Sequence, residues 1–210
     1  MSTRFLALVA ILLLAVVMPL QAAYKEGVEY KRISPAQVTA SADKIEVVEL
    51  FWYGCPHCHR FQPYVEKWLE TAPDNVVYIR LPAILRASWA FHARTFYAAQ
   101  AIGVLDKVHM PVFNAIHNQK RYLDSEVALV KFMEELGVDG AAFQKAFNSF
   151  GVDSKVRRAK QMTRRYQAEG TPSVMINGQY RVDAGMMEGG FAGMIKVLDH
   201  LVEIESAKAH

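Results

Sequence analysis

Apolar and polar residues alternate from Val28 to Ile33 (VEYKRI), the period of a half-buried strand, and this predicts a first, edge-like strand. A denser run follows. IEVVELFWY, Ile45 to Tyr53, is β-branched and aromatic with one acid, Glu49, in its middle, and predicts a strand buried on both faces that Gly54 ends. Pro56 then sits where a helix can begin, and Phe61, Val65, Trp68 and Leu69 recur at helical spacing, with Pro63 predicting a kink. After the turn PDN, the run Val76 to Leu81 (VVYIRL) predicts a further buried strand.

The period changes from Ser88 to Ala168. Apolar residues recur at three and four: Trp89, His92, Phe96 and Ala99; Val112, Phe113 and Ile116; Val127, Val130, Phe132 and Leu136; Phe143, Ala146 and Phe147. With Asp124 or Ser125 and Asp139 placed as N-caps, this predicts four or five short helices. The last of them carries Lys155, Arg157, Arg158, Lys160, Arg164 and Arg165, read as a solvated face rather than an anion site. Strand character returns at Ser173 to Ile176, and Asn177-Gly178 predicts a hairpin into QYRVD. A closing helix is predicted from Phe191 to Ile204, with Phe191, Met194, Ile195, Leu198, Leu201 and Val202 as its stripe and His200 partly exposed.

The first 22 residues have another origin. Arg4, an apolar run from Phe5 to Val17 and the small-residue exit at Leu20-Gln21-Ala22 have the form of a secretory signal peptide cleaved after Ala22. The apolar core is shorter than the roughly 20 residues that span a bilayer. Export places the chain where a thiol pair can be oxidised and remain so. The remaining length suits one domain, or one domain with an insertion. The precursor charge of +3, about +2 once Arg4 is lost, is too weak a field to argue for nucleic acid.

Both cysteines of the chain lie in GCPHCHRF, as Cys55 and Cys58. A C-x-x-C between strand and helix reads as redox; the same letters before His59 match c-type haem attachment; and with nearby histidines they could form half of a zinc site. A bridge enclosing only Pro56 and His57 removes little unfolded-state entropy, which argues against a purely structural disulfide. At a helix N-terminus, positive partial charge and unpaired N–H groups stabilise a thiolate at Cys55. His57 can add a charge or donor beside that sulfur, and Pro56 stiffens the turn. Cys58, one turn further in, is expected to be less accessible. Glu49, six residues before Cys55, is an acid in an apolar strand, where an unpaired carboxylate is costly.

The strand ending ELFWYG, CPHC opening a helix, a helical block, and GTPSVMING before a hairpin and closing helix together resemble the DsbA family of periplasmic thiol:disulfide oxidoreductases over essentially the whole mature chain. The resemblance implies an α/β thioredoxin fold, residues 23–83 and 169–210, interrupted by an all-helical insertion, residues 84–168. It also implies a catalytic set of Cys55, Cys58, His57, Pro56 and Glu49, with the acid buried under the site and assisting proton transfer at Cys58. Thr171 and Pro172 are implied to bind substrate, the proline cis and packed on the cysteine pair, so that an unfolded chain pairs by strand addition. The implied activity is oxidation of reduced, newly exported proteins in the periplasm by a monomer with no cofactor or metal and no nucleic-acid partner. Reoxidation would fall to a membrane protein of the DsbB type and its quinone. A reductant or isomerase of the same fold is the alternative; isomerases of the related DsbC type carry an N-terminal dimerisation domain, and only about 30 mature residues precede Cys55 here.

Overall fold

A computed structural model describes residues 24–41, 43–186 and 189–208 of the chain, so the leader peptide expected over residues 1–22 lies outside the described residues. Strands β1 (Lys31–Arg32) and β2 (Ile45–Phe51) are followed by helix α1 (Pro56–Leu69) and strand β3 (Val76–Pro82). Five helices come next: α2 (Trp89–Ala101), α3 (Leu105–His117), α4 (Glu126–Glu135), α5 (Gly140–Phe147) and α6 (Phe150–Arg165). Strands β4 (Ser173–Ile176) and β5 (Tyr180–Asp183), a short 3₁₀ turn (Ala184–Met186) and α7 (Gly190–Lys208) close the chain. The five strands form one sheet in the order β1-β5-β4-β2-β3, parallel only between β2 and β3 and antiparallel elsewhere.

The sheet explains the burial of its strands. β2 lies between β4 and β3, and all seven of its residues are buried, as a β-branched run without alternation predicts. Among the described residues β3 has a single neighbour, and its residues before Pro82 are only half-buried. Its apolar run carries no signal separating a central strand from an edge. The predicted strand over Val28 to Ile33 shrinks to two residues. Gly27, at φ 85°, donates to the Tyr30 carbonyl, and the amides of Val28 and Glu29 both reach the Lys25 carbonyl, so a turn takes up residues that alternate like a strand. The hairpin forms as predicted: Asn177 and Gly178 both have positive φ, 50° and 64°, and a side chain at Gly178 would strike the Gln37 carbonyl.

Three apolar clusters hold these layers together. Ile45, Val47 and Val174 meet Phe61, Val65 and Trp68 of α1 and Met194, Leu198 and Leu201 of α7 on one face of the sheet. Val48, Leu50 and Met175 meet Ile33 and Tyr166 in a smaller cluster. The third cluster is the core of the helical block, and Phe51, Tyr53 and both cysteines extend into it. The end of β2 and the start of α1 therefore sit between two packed bodies.

The starts of α4, α5 and α6 follow side-chain caps. Ser125, not Asp124, accepts the Ala128 amide at the start of α4, and Asp139 accepts the Ala142 amide at the start of α5. Ser149 caps α6, placing its first residue ahead of the predicted start near Asp153. Two stripe assignments change. Val127 is 80% exposed because α4 turns Leu129, Phe132 and Met133 inward, and Leu69 stands at the exposed end of α1. The basic residues of α6 all face outward while Val152, Val156, Ala159 and Thr163 face the core. α1 continues through Pro63, which lies on its exposed side, where water can bond the carbonyl that proline leaves without a donor.

Candidate active site

The cysteine pair owes its position to the exit from β2. Trp52, its indole stacked on Trp89 at 4.2 Å and 4°, covers Gly54 so closely that any Cβ there would overlap the ring. The Cys55 amide donates back to the Trp52 carbonyl at 2.9 Å, and Cys55 becomes the N-cap of α1 with extended backbone, φ −90° and ψ 116°. Pro56 occupies the first helical turn, where its missing N–H costs nothing. Cys55 is 8% exposed and Cys58 not at all, both as free thiols.

The two sulfurs differ in their chemistry. The Cys55 thiol is pulled down to about 5, first by the hydrogen bond from the Cys58 thiol; burial opposes this, and the Thr171 side chain and the backbone amides of Cys58 and His57 add to it. The 3.3 Å contact from the Cys55 sulfur to the Thr171 carbonyl exists only while that sulfur keeps its proton. Burial pushes the Cys58 thiol well up, and the negative charges of Cys55 and Glu49 push in the same direction. A low-pKa sulfur at the surface thus stands before a high-pKa sulfur beneath it.

Glu49 is fully buried beneath the pair, which excludes a solvated sheet edge. Its Oε1 accepts from Gln62 Nε2 at 2.8 Å and its Oε2 from the Tyr78 hydroxyl at 2.7 Å, with Arg80 Nε 3.9 Å away. Burial raises its pKa, and Tyr78, Arg80 and Gln62 only partly offset that. Sequence reasoning missed these three partners. Arg80 had a signal, a cation inside an apolar strand, and it is paired with Glu49 in the parallel register of β2 and β3. Gln62 lies four residues after Cys58, on the stripe that should be apolar. Glu46, a second buried acid of β2, accepts the amides of Ala40 and Ser41 and holds that loop to the sheet.

His57 lies on the exposed side of α1, and its Nδ1 accepts from Arg60 Nη2 at 3.1 Å. His59 turns instead toward α3, where Nε2 donates to Asn114 Oδ1 at 2.9 Å. Across the site the Thr171–Pro172 peptide is cis, Pro172 is buried, and the Ser173 hydroxyl lies 2.8 Å from the Gly170 carbonyl and 2.7 Å from Asp183 Oδ1. A second cis peptide, Ser34–Pro35, had no expectation attached to it. Cys55 meets Thr171 beside the exposed Pro56, with Cys58 and Pro172 buried behind them and Glu49 below, and His57 stands at the rim. Among the described residues no three His, Cys, Asp or Glu side chains gather as a metal-ligand set.

A helix-capping thiol of low pKa with a buried partner, set at the end of a central strand in a five-stranded mixed sheet with helices packed against it, defines a thiol:disulfide oxidoreductase of the thioredoxin type. The model of the DSBA-like thioredoxin domain matches residues 77–191. The thiol:disulfide interchange protein DsbA of Pseudomonas aeruginosa is 39% identical over 186 residues, 89% of this chain and 88% of its own, and that of Burkholderia cepacia is 39% identical over 170 residues, 81% and 80%. The crystal structure of Pseudomonas aeruginosa DsbA superposes with a TM-score of 0.84 at 39% identity, covering 89% of this chain and 96% of that one. Reduced DsbA1 from Neisseria meningitidis gives 0.76 at 26% identity, covering 90% and 100%. The chain belongs to the DsbA family. Membership also removes the haem reading of CPHCH.

Proposed function

We propose that the chain oxidises reduced, unfolded proteins in the periplasm, with Cys55 as the reacting sulfur. The observation that carries this is the unequal pair: a thiolate favoured at Cys55 stabilises the dithiol, and a stabilised dithiol makes the disulfide an oxidant. This link between low pKa and oxidising poise is the one known for DsbA itself. A substrate thiolate attacks the Cys55 sulfur, the Cys55–Cys58 bond breaks, and Cys58 leaves and takes a proton. A second substrate thiolate then attacks the substrate sulfur of the mixed disulfide and releases Cys55 as thiolate. The substrate loses two electrons and two protons, and the pair gains the electrons. A membrane reoxidant of the DsbB type returns the pair to the disulfide.

Pro56 and the amides of the first turn of α1 hold the Cys55 thiolate, and the exposed His57 adds its imidazole at the rim. Thr171 and Pro172 present backbone beside the cysteines to which an extended substrate pairs. The protein works as a monomer, and residues 84–168 form a helical insertion within a thioredoxin-like body of residues 23–83 and 169–210. Equilibration with glutathione tests the direction. The pair should be reduced at glutathione ratios that leave a thioredoxin-like reductant oxidised; a pair that stays oxidised there is a reductant instead.

Glu49 serves as the proton acceptor and donor for Cys58. Its raised pKa keeps a proton available under the leaving sulfur, and Tyr78 and Gln62 hold the carboxyl in place. Glu49→Gln should slow the single-turnover steps at Cys58 by about tenfold or more while the Cys55 thiolate titration stays within experimental error. An unchanged single-turnover rate would remove Glu49 from the proton path.

A further inference from the structure

A second group of histidines stands beside the cysteine pair, contributed mainly by the helical block. His117, at the end of α3, has Nε2 2.8 Å from the carbonyl oxygen of Tyr53. A carbonyl only accepts, so Nε2 carries the hydrogen. Tyr53 is two residues before Cys55, in the short segment whose Trp52 carbonyl receives the Cys55 amide. The bond therefore ties the helical block to the backbone that sets the reactive sulfur. His117 stacks on His59 of α1, ring centroids 5.2 Å apart and planes 13° from parallel, and Phe113 stacks beside both. His59 spends its own Nε2–H on Asn114. Both rings are half-buried, and neither belongs to the C-x-x-C motif.

We propose that His117 is a positioning residue of the redox site: it holds the Tyr53–Cys55 turn through the Tyr53 carbonyl, and its protonation is coupled to the charge on the Cys55 sulfur. Among the described residues, three titratable or charged groups act on it. Cys55 lies at the start of α1 and favours the imidazolium, and His59 on the same helix and Lys120 after α3 disfavour it; His92 on α2, held down to about 4 first by burial, stays neutral beside it. Two stacked imidazolium rings repel, so His59 and His117 cannot both be charged cheaply, and the ring bonded to the turn beside the thiolate is the one the thiolate favours. Burial sets the His117 pKa below the ordinary histidine value, and the bond to Tyr53 and the Cys55 charge work against that. The coupling is consequently felt on the acid side of neutrality, above about pH 5, where Cys55 is more than half ionised. Coupling is reciprocal: whatever the thiolate adds to the His117 pKa, the imidazolium subtracts from the Cys55 pKa.

The consequence is an extra fraction of a proton taken up on reduction, which strengthens the protein as an oxidant in an acidified medium. The inference rests on the Cys55 thiolate of the proposed function, and the experiment separates the two. The imidazole of His117 is titrated by NMR in the oxidised and the reduced wild-type protein, with Cys55 followed by thiolate absorbance. The His117 midpoint should be higher in the reduced form. His117→Gln, which keeps a donor for the Tyr53 carbonyl and loses the charge, should match wild type in its glutathione equilibrium at pH 8 and fall behind by about threefold between pH 5 and 6. A low Cys55 midpoint with equal His117 midpoints in the two forms would overturn this inference alone. An ordinary thiol titration at Cys55 would overturn the thiolate reading and this inference with it.

Discussion

Cys55→Ser is expected to reduce oxidation of a reduced, unfolded protein to the uncatalysed rate, whereas Cys58→Ser should accumulate covalent adducts with client proteins. The reason lies in burial and pKa together. Only a thiolate attacks or leaves efficiently in disulfide exchange, and only Cys55 has both the lowered pKa and a fraction of its surface open beside Thr171. Cys58 is fully covered, and its thiol is held protonated by burial, so it acts on a sulfur already brought to Cys55 and not on a client directly. Without Cys58, the Cys55 thiolate still attacks a client disulfide, but nothing within the site displaces the client from the resulting bond. Non-reducing electrophoresis of the two variants with oxidised client protein reads this out: a band of higher mass for Cys58→Ser that reductant removes, and none for Cys55→Ser. Adducts in the reverse pattern would exchange the roles of the two sulfurs.

Reduced protein should resist unfolding better than oxidised protein, the opposite of what a structural disulfide does. Closing a loop of two intervening residues constrains the unfolded chain only slightly, so the bridge has little to offer there. The folded dithiol, by contrast, gains from the ionised Cys55. A folded pKa depressed from an ordinary thiol value near 8.5 to about 5 stabilises the folded state fully above the unfolded pKa, and that benefit is lost as pH falls through the folded one. Every tenfold change in the acid dissociation constant corresponds to about 1.4 kcal/mol. Solvent reaches the sulfur on one side and screens its charge, so an excess stability of about 2 kcal/mol for the reduced form near neutral pH is the expected size. Denaturant melts of both redox forms at neutral pH and near pH 4 measure it. The excess should shrink toward zero at the lower pH; an oxidised form that is the more stable at neutral pH would identify a reductant.

Much of this architecture was legible along the chain. The unbroken β-branched run of Ile45 to Phe51 marks a strand covered on both faces. The return of apolar residues at three and four after Ser88 marks helices, and Asn177-Gly178 supplies the positive φ angles that a two-residue hairpin demands. These features depend on neighbours close in sequence. Local pattern misled where the sheet decided the outcome. VEYKRI alternates like a strand, yet turn bonds to Lys25 and Tyr30 take most of it, and VVYIRL reads as buried although β3 has a single neighbour among the described residues.

The site divides along the same line. Cys55, Pro56, His57 and Cys58 are four consecutive residues at a strand-to-helix junction, so their surroundings, and not the spacing alone, point to a redox pair, and Glu49 is conspicuous as an acid in an apolar strand. Several groups packed around the pair come from far along the chain. Thr171 reaches the Cys55 sulfur across 116 positions, Tyr78 reaches Glu49 across 29, and His117 reaches the Tyr53 carbonyl across 64. No local period encodes such meetings, because hydrogen bonding and desolvation depend on which side chains the packed layers bring within a few ångströms. Sequence alone determined the fold class, the reactive pair and the family it resembles; the packed sheet and helical block decided how strongly each sulfur holds its proton.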